Sequence, residues 1–177
     1  MADEIVTERL VLRPGRPDDL EALHALASDF EVVKQTATWP WPPDRAFTET
    51  RARPFDPGLG LAGPVCAGDE IVGMMGVHDT GEGAELGYMF ARAHWGKGYA
   101  TEIGRALIAR AWADYDWPEI TACAFSDNPA SLRVLQKLGF DEAAPCQGAC
   151  AARAGAFAAR SFRLPRPANP GRATRGS

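Results

Sequence analysis

The stretch Tyr88-Met-Phe-Ala-Arg-Ala-His-Trp-Gly-Lys-Gly-Tyr-Ala-Thr-Glu102 lies in the middle of the chain and decides how the rest is interpreted. The residues before its glycines are aromatic and apolar, which is typical of a buried strand. From Ala100 onward, apolar residues recur at helical spacing. Gly96 and Gly98 allow a tight turn and the close approach of a ligand to the backbone. The stretch therefore predicts a strand, a glycine turn and a helix in direct succession.

Such a turn has two possible roles. The first turn of a helix carries free N–H groups and the positive end of the helix dipole, so the turn suits a phosphate. Alternatively, it is a connection that simply needs glycine. Two familiar phosphate loops are excluded: Thr101 stands where the dinucleotide fingerprint needs glycine or alanine, and Gly98 follows Lys97 where a Walker loop needs serine or threonine. A short loop that holds a pyrophosphate through main-chain amides remains possible.

Composition limits the class of protein. The chain has 177 residues, of which 24% are charged and 46% hydrophobic, which predicts one soluble domain with a real core. A net charge of −4 argues against nucleic-acid binding. No apolar run approaches the ~20 residues of a membrane span, and the acidic start does not resemble a signal peptide. The four cysteines lack zinc-site spacing. We expect a cytoplasmic protein without a metal.

The N-terminal part predicts one strand and two helices. Leu10 and Leu12 alternate with arginines within residues 7–13, a pattern typical of a half-buried strand. Pro17 then opens a helix with acidic residues in its first turn. Residues 44–51 predict a second, short helix.

The segment between these helices is rich in proline. Trp39 and Trp41 alternate with prolines in residues 35–45, which excludes a regular helix or a central strand. The two tryptophans either cap the core or form the wall of a substrate cleft. We favour the cleft, because loops commonly carry binding groups, and count both as candidate substrate-binding residues.

Three segments predict successive antiparallel strands. Residues 58–67 are glycine-rich and contain Pro64, which predicts an irregular or edge strand. Residues 71–78 are apolar and follow a Gly-Asp turn, so they predict a hairpin with the preceding segment. Residues 85–90 form the third strand, directly before the glycine turn.

After the central helix, residues 119–125 predict a strand that leads into a strongly marked helix. Asn128 is a good N-cap, Pro129 suits the first helical position, and Gly139 ends the helix. Residues 160–164 predict a last strand.

The end of the chain lacks an apolar period. Residues 165–177 predict a flexible tail, which leaves residues 1–164 as the domain. An edge strand within residues 146–164 could pair between subunits, so both a monomer and a homodimer are open.

Two segments together resemble a known family. Trp95–Glu102 and Asn128–Phe140 are similar to the two acetyl-CoA motifs of the GNAT N-acetyltransferase superfamily. Residues 84–88 and 7–14 resemble its RimJ/RimL branch, which acetylates protein N-termini. The resemblance implies an α+β (α/β three-layer) fold. A mixed, mostly antiparallel sheet of about six to seven strands would be flanked by helices, with a splayed strand pair at the acetyl-CoA site.

The resemblance also implies acetyl-CoA as cofactor and no metal. The glycine loop and helix start would bind the pyrophosphate, and the preceding strand would hydrogen-bond the pantetheine arm. Trp95 departs from the glutamine or arginine common at its position, which implies one fewer polar contact. The residues assigned to the cofactor are Phe90, Ala91, Arg92, Trp95, Gly96, Lys97, Gly98, Tyr99, Ala100, Thr101, Asn128 and Ser131.

The chemistry of amide formation suggests the catalytic candidates. It needs a neutral amine, a polarised carbonyl and a proton for the departing thiolate. Glu85 is the candidate base and acceptor-binding residue, ahead of His78 and Asp79, although it could instead pair with a neighbouring strand. Many family members carry a tyrosine where this chain has Leu135. Ser131 or water could take over that role, unless Ser131 only hydrogen-bonds within its helical turn.

These observations predict an acetyl-CoA-dependent N-acetyltransferase. The acceptor would be the N-terminal amine of a protein or a small-molecule amine, attacking directly in a ternary complex. The negative charge would suit a cationic acceptor. A non-catalytic acyl-CoA sensor on the same fold is the alternative.

Overall fold

A computed structural model describes residues 4–168. Its centre is one sheet of eight strands in the order β1-β2-β3-β4-β5-β6-β8-β7. All neighbouring strands are antiparallel except β5 and β6, which are parallel. The strands are β1 (Ile5–Val6), β2 (Val11–Leu12), β3 (Gly60–Ala67), β4 (Glu70–Asp79), β5 (Ala84–Phe90), β6 (Glu119–Phe125), β7 (Asp141–Cys150) and β8 (Gly155–Pro165). The predicted mixed sheet is confirmed, but it has eight strands instead of six or seven.

Helices cover both faces of the sheet. They are α1 (Leu20–Ala27), α2 (Phe30–Val33), α3 (Arg45–Arg51), α4 (Tyr99–Asp114) and α5 (Pro129–Lys137). Phe90 of β5 belongs to the main core with α4 and α5, whereas its neighbour Met89 packs in a second cluster with α1 and α2. Successive residues of a strand point to opposite faces, so the two clusters lie on opposite sides of the sheet. The three-layer arrangement is therefore confirmed. No helix within residues 4–168 is both long and apolar enough to span a membrane.

The N-terminal strand is divided in two, so the prediction of one strand over residues 7–13 was wrong. The Thr7 N–H donates to the Leu10 carbonyl over 2.8 Å, which makes a turn between β1 and β2. Glu102 in the first turn of α4 stabilises that turn, because its Oε1 accepts from Thr7 Oγ1 (2.7 Å) and from the Arg9 N–H (3.0 Å). The alternation in the sequence could not reveal this distant carboxylate.

Strand β3 lies inside the sheet, between β2 and β4, and is not an edge strand. It is irregular, as predicted, with a register shift between Val65 and Cys66. Pro64 accepts a hydrogen bond from the Arg13 N–H (3.2 Å) but cannot return one. The proline is tolerated because the pairing with β2 ends at this point.

The C-terminal strands form a long hairpin. β8 is longer than the predicted strand of residues 160–164. β7 begins before the predicted edge strand of residues 146–164 and overlaps it only from residue 146, because its alanine-rich sequence carries little pattern. β7 is the edge of the sheet. Beyond β8, Arg166 donates to the carbonyls of Tyr115 (2.6 Å) and Trp112 (2.7 Å), so the ordered fold continues past Pro165. The predicted tail from residue 169 onward lies outside the described residues.

A buried ion pair joins β2 to the start of α1. The Arg13 guanidinium donates to both carboxylate oxygens of Asp19, at 2.8 and 2.7 Å, and the Arg16 N–H donates to the same carboxylate at 2.7 Å. Burial by itself would raise the pKa of Asp19, but these hydrogen bonds outweigh it and hold the pKa below its ordinary value. Asp19 therefore contributes stability above its ordinary pKa, and this contribution is lost as the pH falls through the folded-state pKa.

We expect Asp19→Asn to lower the free energy of unfolding at neutral pH by about 2–3 kcal/mol, because a charge-assisted bidentate contact is lost. The difference from the unsubstituted chain should shrink as the pH falls below about 4, measured by urea denaturation at several pH values. Asp18→Asn removes an exposed neighbouring charge and should change little. A difference independent of pH would contradict the assigned ion pair.

Candidate active site

The parallel strands β5 and β6 stay together for only three residue pairs. Ala84, Glu85 and Leu86 pair with residues 120–122, and the pairing stops there. Beyond that point, β5 continues along β4 to Phe90, while β6 continues along β8. Because each strand follows its outer neighbour, the two diverge and leave a V-shaped gap. This is the splayed pair that the resemblance implies.

A cleft of about 560 Å³ opens on this gap. Its walls come from α2 and the residues that follow it, β5, the glycine loop, the first turn of α4 and one side of α5 along its whole length. The structure thus brings together segments that are far apart in the sequence. The predicted cofactor residues that line the cleft are Phe90, Trp95, Gly96, Gly98, Tyr99, Ala100, Thr101, Asn128 and Ser131.

The glycine loop leaves its backbone donors unused. Gly96 and Gly98 have φ values of 75° and 78°, in the left-handed region that favours glycine. A Cβ added at Gly96 would meet no atom within 4 Å. Among residues 4–168, no protein group accepts a hydrogen bond from the backbone N–H groups of residues 96–101. These amides lie at the N-terminus of the 16-residue helix α4. This is the positive end of the helix dipole and a favourable place for an anion.

Aromatic and basic side chains surround the loop. The Arg9 guanidinium lies 4.9 Å from the centre of the Tyr99 ring and is held by Glu102 at 2.6 Å. His94 Nε2 donates to Glu70 Oε1 over 3.0 Å. Trp95 Nε1 donates to the Phe90 carbonyl over 2.7 Å. The only donor of the Trp95 side chain therefore connects the loop to the end of β5.

Three predicted cofactor residues do not line the cleft. Arg92 donates to Asp29 Oδ2 (2.7 Å) and lies with Ala91 on a separate cavity beside α1. The Lys97 ammonium lies 3.3 Å from His94 Nδ1. The Arg92 side chain is thus engaged outside the cleft, whereas the Lys97 ammonium lies beside His94 and 5.9 Å from the centre of the Tyr99 ring, two residues that do line it.

The two tryptophans do not line the cleft. Trp39 is 8% exposed and packs in the cluster beneath α1 and α2, with its ring 5.3 Å from that of Phe47. Trp41 is 40% exposed and contacts the Phe30 ring. Neither lines the 560 Å³ cleft, and Trp39 has the core-capping position that the sequence left as the alternative.

Glu85 lies where the gap begins, on the face opposite to that of Leu86 and α5. Its carboxylate has no hydrogen bond or ion pair with any of the described residues. Loss of surrounding water, the Cys146 thiol 3.8 Å away and the Glu85 carboxylate together raise the pKa of Cys123 to about 12. The influence on Cys123 places the carboxylate beside β6. Of the weaker candidates, Asp79 already accepts from the Gly81 N–H (2.8 Å).

The sequence interpretation missed Tyr88. Its hydroxyl lies 2.6 Å from Ser131 Oγ, and both residues line the cleft. Desolvation raises the pKa of Tyr88 to about 12, although the contact with Ser131 opposes this shift. Only the strand pattern pointed to Tyr88, and such a pattern does not reveal which group a hydroxyl will meet. Glu31, Lys34 and Gln35 near α2 were missed for the same reason.

Comparison with known proteins decides the family. The profile described as "Acetyltransferase (GNAT) domain" matches residues 9–141, most of the chain. The chain belongs to the GNAT acetyltransferase family. It is 32% identical over 154 residues to an uncharacterized N-acetyltransferase, p20, from Bacillus licheniformis, covering 79% of this chain and 83% of p20. It is 29% identical over 144 residues to an uncharacterized N-acetyltransferase, YoaA, from Bacillus subtilis (strain 168), covering 77% and 81%.

Solved GNAT structures share the same fold. RimL, a ribosomal L7/L12 α-N-protein acetyltransferase solved in complex with coenzyme A, superposes with a TM-score of 0.79 at 18% identity, covering 94% of this chain and 100% of RimL. A GNAT acetyltransferase from Bacillus anthracis gives a TM-score of 0.75 at 24% identity, covering 93% and 99%. RimL and a RimJ from Mycobacterium smegmatis are among the solved structures that share this fold, in agreement with the branch that the sequence resembles. The family match and the relatives named above make this chain a GNAT N-acetyltransferase.

Proposed function

We propose that this GNAT enzyme uses acetyl-CoA to acetylate a primary amine, either the N-terminus of a protein or a small-molecule amine. One observation carries the proposal: the unpaired amides of residues 96–101 open on the same cleft as Asn128, Ser131 and the strand gap. Residues 96–98 are exposed and residues 99–101 are half-buried, so their amides are accessible from the cleft. Free N–H groups at the positive end of a helix favour a bound anion. RimL, of the same fold, binds coenzyme A.

The residues present fit coenzyme A. The amides around Gly98 would hold the diphosphate, and the diverging end of β5 would offer its backbone to the pantetheine arm. The cleft volume of about 560 Å³ lies within the range of small-molecule sites. Acetyl-CoA supplies a thioester, whose carbonyl carbon is open to attack by an amine. None of the candidate residues in this chain requires a metal for that role.

Glu85 would take the proton from the acceptor amine. Glu85 does not line the 560 Å³ cleft itself; it lies at the start of the gap, on the sheet face opposite to Ser131, and the acceptor amine would approach the carbonyl from that face. A carboxylate with no partner among residues 4–168 is free to hydrogen-bond an incoming ammonium group. General-base catalysis of this kind contributes about 10²–10⁴-fold to the rate.

The function is tested by following thiol release from acetyl-CoA with a panel of N-terminal peptides, polyamines and aminoglycosides. Turnover with any of these amines supports the proposal and defines the acceptor class. Tight binding of coenzyme A without turnover on any acceptor would favour an acyl-CoA sensor. Failure to bind coenzyme A would exclude both functions.

We expect Gly98→Val to abolish coenzyme A binding, measured by isothermal titration calorimetry. A branched side chain at a φ of 78° is strained and would disturb the amides that hold the diphosphate. Gly81→Val is the matched control, because Gly81 has a φ of 88° and lies in the β4–β5 turn; a Cβ there would meet no atom within 4 Å, and one at Gly98 would make only an ordinary contact with Arg9 at 3.7 Å. Equal loss of binding in both variants, or tight binding by Gly98→Val, would refute the placement of the diphosphate.

We expect Glu85→Gln to lower kcat by about 10²-fold or more while leaving the affinity for coenzyme A near normal, because only the proton acceptor is removed. The fall in rate toward acid pH that a carboxylate base produces should disappear in this variant. Glu82→Gln makes the same charge change in the exposed turn before β5 and should behave like the unsubstituted enzyme. An unchanged pH–rate profile in Glu85→Gln would exclude the carboxylate as the base.

A further inference from the structure

The position in helix α5 that carries a tyrosine in many GNAT enzymes holds a residue without a donatable proton in this chain. Leu135 occupies it, is 1% exposed and packs in the main core. A tyrosine hydroxyl nevertheless reaches the same cleft from the sheet, since Tyr88 Oη lies 2.6 Å from Ser131 Oγ. The two residues are 43 positions apart in the chain.

Both residues are held firmly at the edge of the gap. Tyr88 lies two residues beyond Leu86, the last residue of β5 that pairs with β6, and is still in register with Met75 of β4. Ser131 lies in the first turn of α5, where its N–H donates to Asn128 Oδ1 over 3.1 Å. The hydroxyl pair therefore bridges β5 and α5 across the point where the sheet opens.

Either hydroxyl could donate in this contact, and the distances favour Tyr88 as the donor. Each hydroxyl has one proton to donate. The Ser131 carbonyl is 3.4 Å from Tyr88 Oη, which is a poor alternative to Ser131 Oγ at 2.6 Å. When Tyr88 donates to Ser131 Oγ, the proton of Ser131 has no acceptor among the described residues and is left to point into the cleft. Because desolvation raises the pKa of Tyr88 to about 12, Tyr88 keeps its proton at neutral pH.

We propose that Tyr88 is a positioning residue that orients the Ser131 hydroxyl, so that Ser131 donates a hydrogen bond to the sulfur of coenzyme A. This proposal rests on the proposed function. As the C–N bond forms, the C–S bond breaks and its electron pair stays on sulfur. The Ser131 O–H stabilises that negative charge, the amine proton passes to Glu85, and the thiolate leaves or takes a proton from water. Tyr88 gives up no proton.

The pKa of the bound thiol tests this proposal without an acceptor. We compare coenzyme A with S-methyl-coenzyme A, whose sulfur cannot ionise. In the unsubstituted enzyme, the affinity for coenzyme A should increase relative to that for the S-methyl thioether as the pH rises. Tyr88→Phe and Ser131→Ala should each raise the pKa of the bound thiol by about one unit, the effect of one hydrogen bond to a charged group. Calorimetric titrations of both ligands across the pH range give this value.

The double variant shows whether the two hydroxyls act as one unit. If Tyr88 acts through Ser131, the double variant should match Ser131→Ala instead of adding the two shifts. Ser131→Thr keeps the hydroxyl and should restore the behaviour of the unsubstituted enzyme. The other ionisable residues that line the cleft are unchanged in every variant, so they cannot produce the difference; they are Glu31, Lys34, His94, Tyr99, Asp127, Arg133 and Lys137.

Tyr115→Phe is the matched control. The Tyr115 hydroxyl donates to the Pro57 carbonyl over 2.8 Å, and Tyr115 does not line the cleft. This control should leave the thiol pKa unchanged. A purely structural role for Tyr88 would lower thermal stability and the affinity for both ligands equally, without a shift in thiol pKa.

The outcomes separate this proposal from the proposed function. If Tyr88→Phe leaves the pKa of the bound thiol unchanged, the positioning role of Tyr88 is wrong, whereas the proposed binding of coenzyme A is not affected. If Tyr88→Phe does not fold, Ser131→Ala is the deciding variant. An unchanged pKa of the bound thiol in Ser131→Ala overturns the proposal as well. If the unsubstituted enzyme does not bind coenzyme A, the proposed function fails and the role of Tyr88 fails with it.

Discussion

The separation of β5 from β6 is the constraint on which the site depends. Strand β5 is paired along its length with β4, and β6 is paired along its length with β8, so each belongs to a different half of the sheet. The halves share only three residue pairs, which end at Leu86 and Ala122. Twist carries neighbouring strands apart wherever pairing does not hold them. The gap is thus a consequence of the sheet topology, and it leaves backbone groups at the centre of the fold without strand partners.

The glycine loop adds a second set of backbone groups without hydrogen-bond partners. Gly96 and Gly98 take left-handed backbone conformations, and the amides of residues 96–101 precede or begin helix α4. A helix cannot satisfy its own first N–H groups, so something outside it must do so. The loop, the gap and the N-terminal turn of α5 line one cleft. Their arrangement brings the free amides to one end of the cleft and Ser131 and Tyr88 to its wall.

Predictions from the sequence succeeded where a local pattern determines the structure and failed where a distant contact does. The N-cap at Asn128 and the glycine turn were recognised because capping and positive φ depend on neighbouring residues. The division of the first strand was missed because Glu102 draws the Thr7 turn onto α4 from 95 residues away. Trp39 was assigned to a cleft wall, yet its ring packs beneath α1 and α2, and no pattern in a proline-rich loop distinguishes these positions.

The sequence alone determined the family, the glycine loop, the capped helix α5 and the position of Glu85 on the strand before the loop. Each of these is encoded in contiguous residues, whose backbone preferences act over a few positions. Only the tertiary structure decided that β7 pairs with β8 at the edge of the sheet, that Arg92 donates to Asp29, and that Tyr88 contacts Ser131. Those outcomes depend on how α5 and the strands pack in space. A hydroxyl on a strand and one on a helix 43 residues later leave no periodic trace in the sequence, because their contact is made by packing and not by local geometry.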